Sequence, residues 1–283
     1  MTVASNANTG ADAEDAQPVA ESRFIAAIAD LILGLGQWRI CWVLAFSEIR
    51  QRYRRSTLGQ FWLTISMAVM IGGIGLIYSY IFQQPMAQYI PFLGIGLIVW
   101  NLLSSLVNDL ATCFISADTH LRAYPSPRSV IVYRTIARNF IVSAHNFLIV
   151  PLLLIIFQVP VSFAIVLIIP AVFLIALNAV WVGILLGTLC TRFRDLPQIV
   201  ASVMQLVFFV TPILFRPAQL QERLWFITHL NPFASFIEIV RAPLLCQVPH
   251  LYNYLFVILC TLVGWAIALP FYGRFRSRIV YWL

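Results

Sequence analysis

The chain contains no lysine, because all 18 of its Lys and Arg residues are arginines. A phosphate-binding loop of the GxxxxGK[ST] kind needs its lysine on the phosphates. Schiff-base chemistry and the SxxK nucleophile need a lysine as well. The sequence therefore excludes these sites, and ATP held by such a loop would have to be bound by another chain.

Charge of either sign is also scarce, at 10% of residues, whereas 61% are hydrophobic and the mean hydropathy is +0.87. These values exclude an ordinary soluble domain. The arginines that give the net charge of +7 lie beside hydrophobic segments. This placement favours a role in membrane topology over nucleic-acid binding. The cysteines stand singly with no CxxC pair, so we predict neither a metal site nor a disulfide. They are Cys41, Cys113, Cys190, Cys246 and Cys260.

Six apolar segments are long enough to cross a bilayer as helices, which takes about 20 residues each. They cover approximately residues 61–82, 89–116, 130–157, 161–190, 197–215 and 251–273. The sequence thus predicts an all-α membrane protein with six transmembrane helices.

Arginine placement predicts the orientation of these spans. With the N-terminus inside, fifteen of the 18 arginines lie at the cytoplasmic face, and only Arg216, Arg223 and Arg241 fall outside. Since cytoplasmic loops carry the excess of Lys and Arg, both termini are expected in the cytoplasm.

The region before the first span divides into two parts. Residues 1–22 are polar and lack an apolar core, which predicts a disordered cytoplasmic tail, and residues 23–60 form an interfacial or elbow region ahead of a transmembrane domain at 61–283. A seventh span over residues 24–46 would place Arg39 in hydrocarbon at a cost of about 2.5–3.5 kcal/mol. We therefore favour a helix lying in the membrane interface.

Prolines break up the segment between the fifth and sixth spans, residues 216–250. Two pieces, 218–230 and 233–242, are apolar but too short to span. Pieces of this kind on the outer side indicate short re-entrant or interfacial helices.

Ionisable residues inside the spans are few and isolated. Asp109 is a candidate for a substrate or proton role, or for structural pairing with Arg134 or Arg138. His145 is more typical of a satisfied bundle residue than of a ligand. Clustered acids or histidines, which a membrane enzyme would need, are lacking, so we predict no catalytic residues.

A GxxxG pattern in the fourth predicted span consists of Gly183 and Gly187. Because two glycines at this spacing let helices approach closely, the pattern is a candidate dimer face.

Aromatic residues make up 14% of the chain, and several lie near the outer ends of the first two spans. One interpretation is an interfacial aromatic belt. The other is a lining for a sugar chain, with a substrate path along Tyr78, Phe82, Tyr89 and Trp100. The composition leaves both open.

Four stretches, in order along the chain, carry a resemblance. They are residues 52–62, with Gly59 and Trp62; residues 121–125; residues 191–196, with Arg192, Arg194 and Asp195; and residues 231–241, with Asn231, Pro232, Glu238 and Arg241. Together they resemble the motifs of the permease subunit of ABC exporters of the polysaccharide and polyol-phosphate class, which includes the O-antigen permease Wzm.

The resemblance implies a homodimeric pore in the bacterial inner membrane with a separate, Wzt-like cytoplasmic ATPase, which would bind ATP and Mg. The implied substrate is an undecaprenyl-linked glycan, most simply O-antigen. Contact with the ATPase would fall on the loop after the second span and on the basic stretch before the first, which also lies against membrane lipids. The implied coupling residues are Asp118, His120, Leu121, Arg122, Tyr124, Arg50, Arg52, Tyr53, Arg54 and Arg55.

Two further functions stay open. A capsule, teichoic acid, drug or lipid permease would share the same fold. A membrane-embedded glycan transferase is a different class of protein, and it would need the clustered acids or histidines that the spans lack.

Overall fold

The computed structural model describes residues 17–54, 59, 61–123, 126–216 and 230–283, with side chains from residue 23 onward. All the long regular elements within these ranges are α-helices. They are α1 (Gln17–Gly36), α2 (Trp38–Arg52), α3 (Phe61–Ile81), α4 (Met86–Ala111), α5 (Cys113–Ser116), α6 (Asp118–Ala123), α7 (Ser129–Phe147), α8 (Ile149–Ile156), α9 (Ile168–Arg192), α10 (Leu196–Val210), α11 (Pro232–Leu244), α12 (Leu251–Phe275) and α13 (Ile279–Trp282). The predicted all-α class is confirmed.

Five helical stretches are long and apolar enough to cross a membrane. They are Phe61–Ile81, Met86–Ala111, Ser129–Ile156, Phe163–Arg192 and Leu251–Trp282. They correspond to the first, second, third, fourth and sixth predicted spans. The chain is therefore a multi-pass membrane protein.

Helix α4 is the centre of the bundle. It packs against α3, α7, α9 and α11, and 78% of its most apolar stretch is buried, against 17% for α3. Both helices are apolar enough to span, so it is their contacts that place α4 inside the bundle, whereas α3 directs most of its side chains outward.

The predicted fifth span, 197–215, is shorter than expected. Helix α10 has 15 residues and ends at Val210, so it is only about 22 Å long. This is less than the hydrocarbon thickness of about 30 Å. The described helices thus do not by themselves establish six spans.

Two helices occupy the predicted interfacial region. The chain bends by 66° between α1 and α2, at Gln37. Helix α1 begins at Gln17, inside the segment predicted to be a tail, and packs on α12 and α7. A helix that only rests on the membrane surface would leave these side chains unburied, but α1 buries Ala27 and Asp30 in the bundle.

Helix α11 lies in the region predicted to hold short outer helices. Its 13 residues are mostly buried against α4, α9 and α12. The other predicted piece, 218–230, lies outside the described residues except for its last position.

The GxxxG pattern packs inside the chain rather than on an outer face. A Cβ on Gly183 would lie 2.5 Å from Val132, and one on Gly187 would lie 2.9 Å from Cys113. The two glycines let α9 approach α4, α5 and α7 closely, so the suggestion of a dimer face here is wrong.

Candidate functional site

The arginines of the basic stretch before α3 lie at the C-terminal end of α2. Arg50 and Arg52 lie in the last turn of α2, where cations stabilise the helix dipole, and Arg54 follows in a turn. All three side chains are exposed. They are accessible to lipid headgroups or a partner chain. Tyr53 is half-buried, Gly59 adopts a φ of +56°, and Arg55 lies outside the described residues.

A four-residue ion-pair network lies next to this stretch and joins three helices. Glu48 of α2 accepts from Arg134 at 2.9 Å and from Arg138 at 2.7 Å, both on α7. Arg138 also donates to Asp109 of α4 at 2.8 Å. Two carboxylates balance two guanidiniums, so neither arginine is buried without compensation. Asp109 therefore has the structural pairing that was one of its two sequence interpretations.

Asp30 is a second carboxylate that joins several elements, and no pattern in the sequence marked it as a site residue. Its carboxylate accepts from the backbone N–H groups of Arg128 and Ser129 at 3.2 and 3.1 Å, at the start of α7. It also accepts from the Tyr272 hydroxyl at 2.8 Å and lies 3.5 Å from Arg276. One buried carboxylate thus joins α1, the loop after α6 and the end of α12.

Helix α6 is the element at the position of the implied coupling helix. Leu121 is buried, and Arg122 forms an exposed ion pair with Asp118 one turn away. His120 is half-buried, and Tyr124 lies outside the described residues. Leu121 thus anchors the helix on the bundle, while the Arg122–Asp118 pair remains exposed.

The turn between α9 and α10 packs on the C-terminus. The Arg192 guanidinium lies 5.7 Å from the ring centre of Trp282. Arg194 donates to the carbonyls of Trp282 and Leu283 at 3.3 and 3.1 Å. Asp195 precedes α10 but makes no side-chain cap. The turn residues of the third matching stretch thus hold the C-terminal helix.

Asn231 builds the start of α11. Its side chain accepts from the Phe233 backbone N–H at 3.0 Å, which caps the helix ahead of Pro232, and donates to Thr211 at 2.9 Å. The bond to Thr211 ties the start of α11 to the end of α10.

Arg241, at 1% exposure, is the most buried charged residue among those that the structure describes. It donates to Glu238 and to the Pro212 carbonyl at 3.0 Å, and its guanidinium lies 3.9 Å from the ring centre of Phe92. The last two contacts fix the segment after α10 against α4.

The outer aromatics fall into two groups. Tyr78, Phe82 and Tyr89 are neighbours, with ring centres 5.6 and 6.1 Å apart. Trp100 lies further along α4, about 16 Å from Tyr89, and contacts Phe208 and Phe233 instead. Trp100 therefore does not share a cluster with the two tyrosines, because eleven residues separate positions 89 and 100 along α4, and a substrate path along these four aromatics stays a prediction.

Metal binding and histidine chemistry have little support in the described residues. Among the residues that the structure describes, no group of three His, Cys, Asp or Glu side chains is placed to hold a metal ion. A ring nitrogen of His145 lies 2.8 Å from the Ile141 carbonyl, within its own helix.

Residues 39–245 match the family model described as ABC-2 type transporter. The chain belongs to the ABC-2 type transporter family. As in this family, it is a transporter permease rather than an enzyme.

The permease is also similar to curated proteins named O-antigen export system permease protein RfbA. One from Klebsiella pneumoniae is 29% identical over 204 residues, which cover 69% of this chain and 76% of the relative. A second from the same organism is 28% identical over 242 residues, covering 80% and 89%. One from Myxococcus xanthus is 29% identical over 214 residues, covering 69% and 76%.

Proposed function

We propose that this permease is the transmembrane subunit of an ATP-driven exporter that moves a lipid-linked O-antigen polysaccharide across the bacterial inner membrane. The observation that carries the proposal is the similarity to three O-antigen export permeases over 69–80% of the chain. The ABC-2 match over residues 39–245 supports the transport mode.

A separate cytoplasmic ATPase of the Wzt kind would bind ATP and Mg and drive the movement. The absence of lysine supports this division, because a phosphate-binding loop needs one. Helix α6 and the exposed arginines at the end of α2 offer the contact surface. As proposed here, two copies of the permease form the pore.

A sixth crossing would consist of α10 and the segment 211–216. Arg216 donates to the Gln88 carbonyl at 3.1 Å, and the Tyr89 hydroxyl donates to the Leu214 carbonyl at 2.6 Å. Gln88 and Tyr89 lie in the first turn of α4, which is its outer end in the proposed topology, and these bonds support a segment that continues to the outer side beyond the last turn of α10. Helix α11 would then be the re-entrant element, buried in protein as non-spanning segments must be.

Helix α2 would lie in the interface at the cytoplasmic side. It exposes Trp38, Trp42 and Phe46 together with Arg39. Aromatic rings beside arginines are typical of a helix at headgroup level. With α2 and both termini inside, the arginines follow the positive-inside rule.

Deleting the gene in its own host tests the proposal. We expect surface O-antigen to disappear and undecaprenyl-linked glycan to accumulate at the inner face, with recovery on complementation. The tagged permease should co-purify with a chain that carries Walker motifs.

Other outcomes of the deletion would identify other functions. Loss of capsule or teichoic acid with intact O-antigen would indicate a different glycan. Unchanged glycans with altered drug sensitivity would indicate a drug or lipid permease, and turnover of a lipid-linked sugar by the isolated chain would indicate a transferase.

A further inference from the structure

A polar cleft of about 350 Å³ lies between α3, α4 and α7. Its walls carry Ser66 of α3, Asn101 and Ser105 of α4, and Asn139 and Asn146 of α7. Asp109, Arg138 and Arg52 also line it, together with the apolar side chains of Leu63, Met67, Met70 and Val142. We call these residues the polar cleft.

The polar cleft reaches deep into the membrane. Asn101 lies ten residues before the cytoplasmic end of α4, Ala111, which corresponds to about 15 Å along the helix. This is half the hydrocarbon thickness of about 30 Å. Polar side chains at this depth cost free energy unless they have partners. A set of them around one cleft therefore indicates a function.

Asn146 supplies the evidence for a ligand. Its side chain is buried, with the residue only 3% exposed, and its Nδ2 donates to Asn101 Oδ1 at a long 3.4 Å. Its Oδ1 has no hydrogen-bond partner among the described residues. A buried unpaired acceptor costs about 1–3 kcal/mol. A ligand that donates a hydrogen bond would remove this cost.

The polar groups of the cleft favour a hydroxyl over a phosphate. Of its two lining arginines, Arg138 is already paired with Glu48 and Asp109, and Arg52 is an exposed residue at the end of α2. An ionised phosphate brings only acceptor oxygens, which cannot satisfy the Asn146 acceptor. A sugar hydroxyl both donates and accepts, and so matches the amides and serine hydroxyls along the walls.

We propose that the polar cleft binds sugar hydroxyls at the lipid-proximal end of the transported glycan, before it enters the pore. This inference rests on the proposed function, because it takes its ligand from the proposed substrate. The cleft lies within one permease chain, has Arg52 of α2 in its lining, and holds the sugar while the lipid tail stays in the bilayer.

The full-length permease in lipid nanodiscs provides the test. The probe is dodecyl glucoside with a photoreactive diazirine on the first alkyl carbon, and labelled peptides are mapped by mass spectrometry. We expect labels near positions 66, 101 and 146. Excess dodecyl maltoside should compete, whereas dodecyl phosphate should not.

Two variants change lining residues of the polar cleft on two different helices. Asn146→Leu and Ser105→Val should each lower labelling at least about fivefold, which corresponds to about 1 kcal/mol. The matched control is Asn178→Leu, a buried asparagine of α9 that bonds Thr261 and lies outside the cleft. Labelling should stay unchanged in this control, provided that each protein elutes as a single species in gel filtration.

Three results would overturn the inference: unchanged labelling in both cleft variants, equal competition by dodecyl phosphate, or absent labelling. The proposed function fails separately. If deletion abolishes surface O-antigen but the glucoside does not label the cleft, only the sugar site is wrong. If the cleft is labelled but deletion leaves O-antigen intact, the cleft serves another glycolipid.

Discussion

The Tyr272 hydroxyl donates a hydrogen bond of 2.8 Å to the Asp30 carboxylate, although 242 residues separate the two in sequence. The same carboxylate accepts from the backbone at the start of α7. The first helix, the last long helix and the loop after α6 therefore share one buried acceptor. If α6 receives motion from an ATPase, the bonds of Asp30 connect the loop after α6 to α1 and α12, to which the motion would be transmitted.

Replacing Asp30 tests this anchor. Asp30→Asn should lower the free energy of unfolding by about 2–4 kcal/mol, because the amide loses the charge that Arg276 faces and cannot accept all of the present bonds. Tyr272→Phe removes one hydroxyl and should cost about 1 kcal/mol. Unfolding in mixed micelles measures both, and equal losses in the two variants would contradict the anchoring role.

Replacing the buried Arg241 by lysine should destabilise the fold, although the charge is kept. Arg241→Lys keeps the charge but loses the forked contacts to Glu238 and Pro212, so we expect a loss of about 3 kcal/mol. The matched exposed change, Arg122→Lys, should cost below about 0.5 kcal/mol. Thermal unfolding of the purified permease measures both, and similar melting temperatures would rule out a special role for Arg241.

Arg122→Ala should separate transport from folding. Its ion pair with Asp118 is exposed and contributes only about 0.3–0.5 kcal/mol, so stability and membrane insertion should barely change. If α6 is the coupling element, surface O-antigen should fall severalfold and less ATPase should co-purify. Arg39→Ala, an exposed arginine outside the coupling residues, is the control. Export equal to that of the control would show α6 to be only a connector.

Gly264→Ala should destabilise the contact between α12 and α9. An added Cβ would clash with the Trp181 ring, so one helix must move, at a cost of about 1–3 kcal/mol. Gly73→Ala, in α3 with nothing within 4 Å, should instead gain about 0.5–1 kcal/mol from helix propensity. Thermal unfolding compares them. Combining Gly264→Ala with Trp181→Ala should cost less than the sum of the single changes, and simple additivity would argue against the clash.

The order and type of elements could be predicted because hydrophobicity acts locally. Five apolar stretches became membrane-length helices near their predicted bounds. The fifth predicted span was an exception. Its apolar run continues past Val210, but Thr211 is extended and Pro212 follows, so the helix ends there. Hydropathy alone does not show where a helix stops.

Charge pairing was only partly visible in the sequence. Asp109 and Arg138 were candidates because both lie in spans, whereas Glu48 lies in a polar stretch that gave no signal. Its distance of 2.7 Å from Arg138 follows from how α2 packs on α7. The GxxxG pattern shows the same limit, because its spacing indicates close packing but not the partner helix.

The sequence by itself determined that this chain is an all-helical membrane permease without lysine, since composition, hydropathy and motif order need no partner to be read. Only the tertiary structure decided that Asp30 joins three elements, that Trp100 leaves the tyrosine group, and that Asn146 faces a polar cleft without a partner. The physical reason is that burial and hydrogen bonding depend on residues far apart in sequence. A residue in an apolar span looks the same in the sequence whether it faces lipid, protein or a cleft.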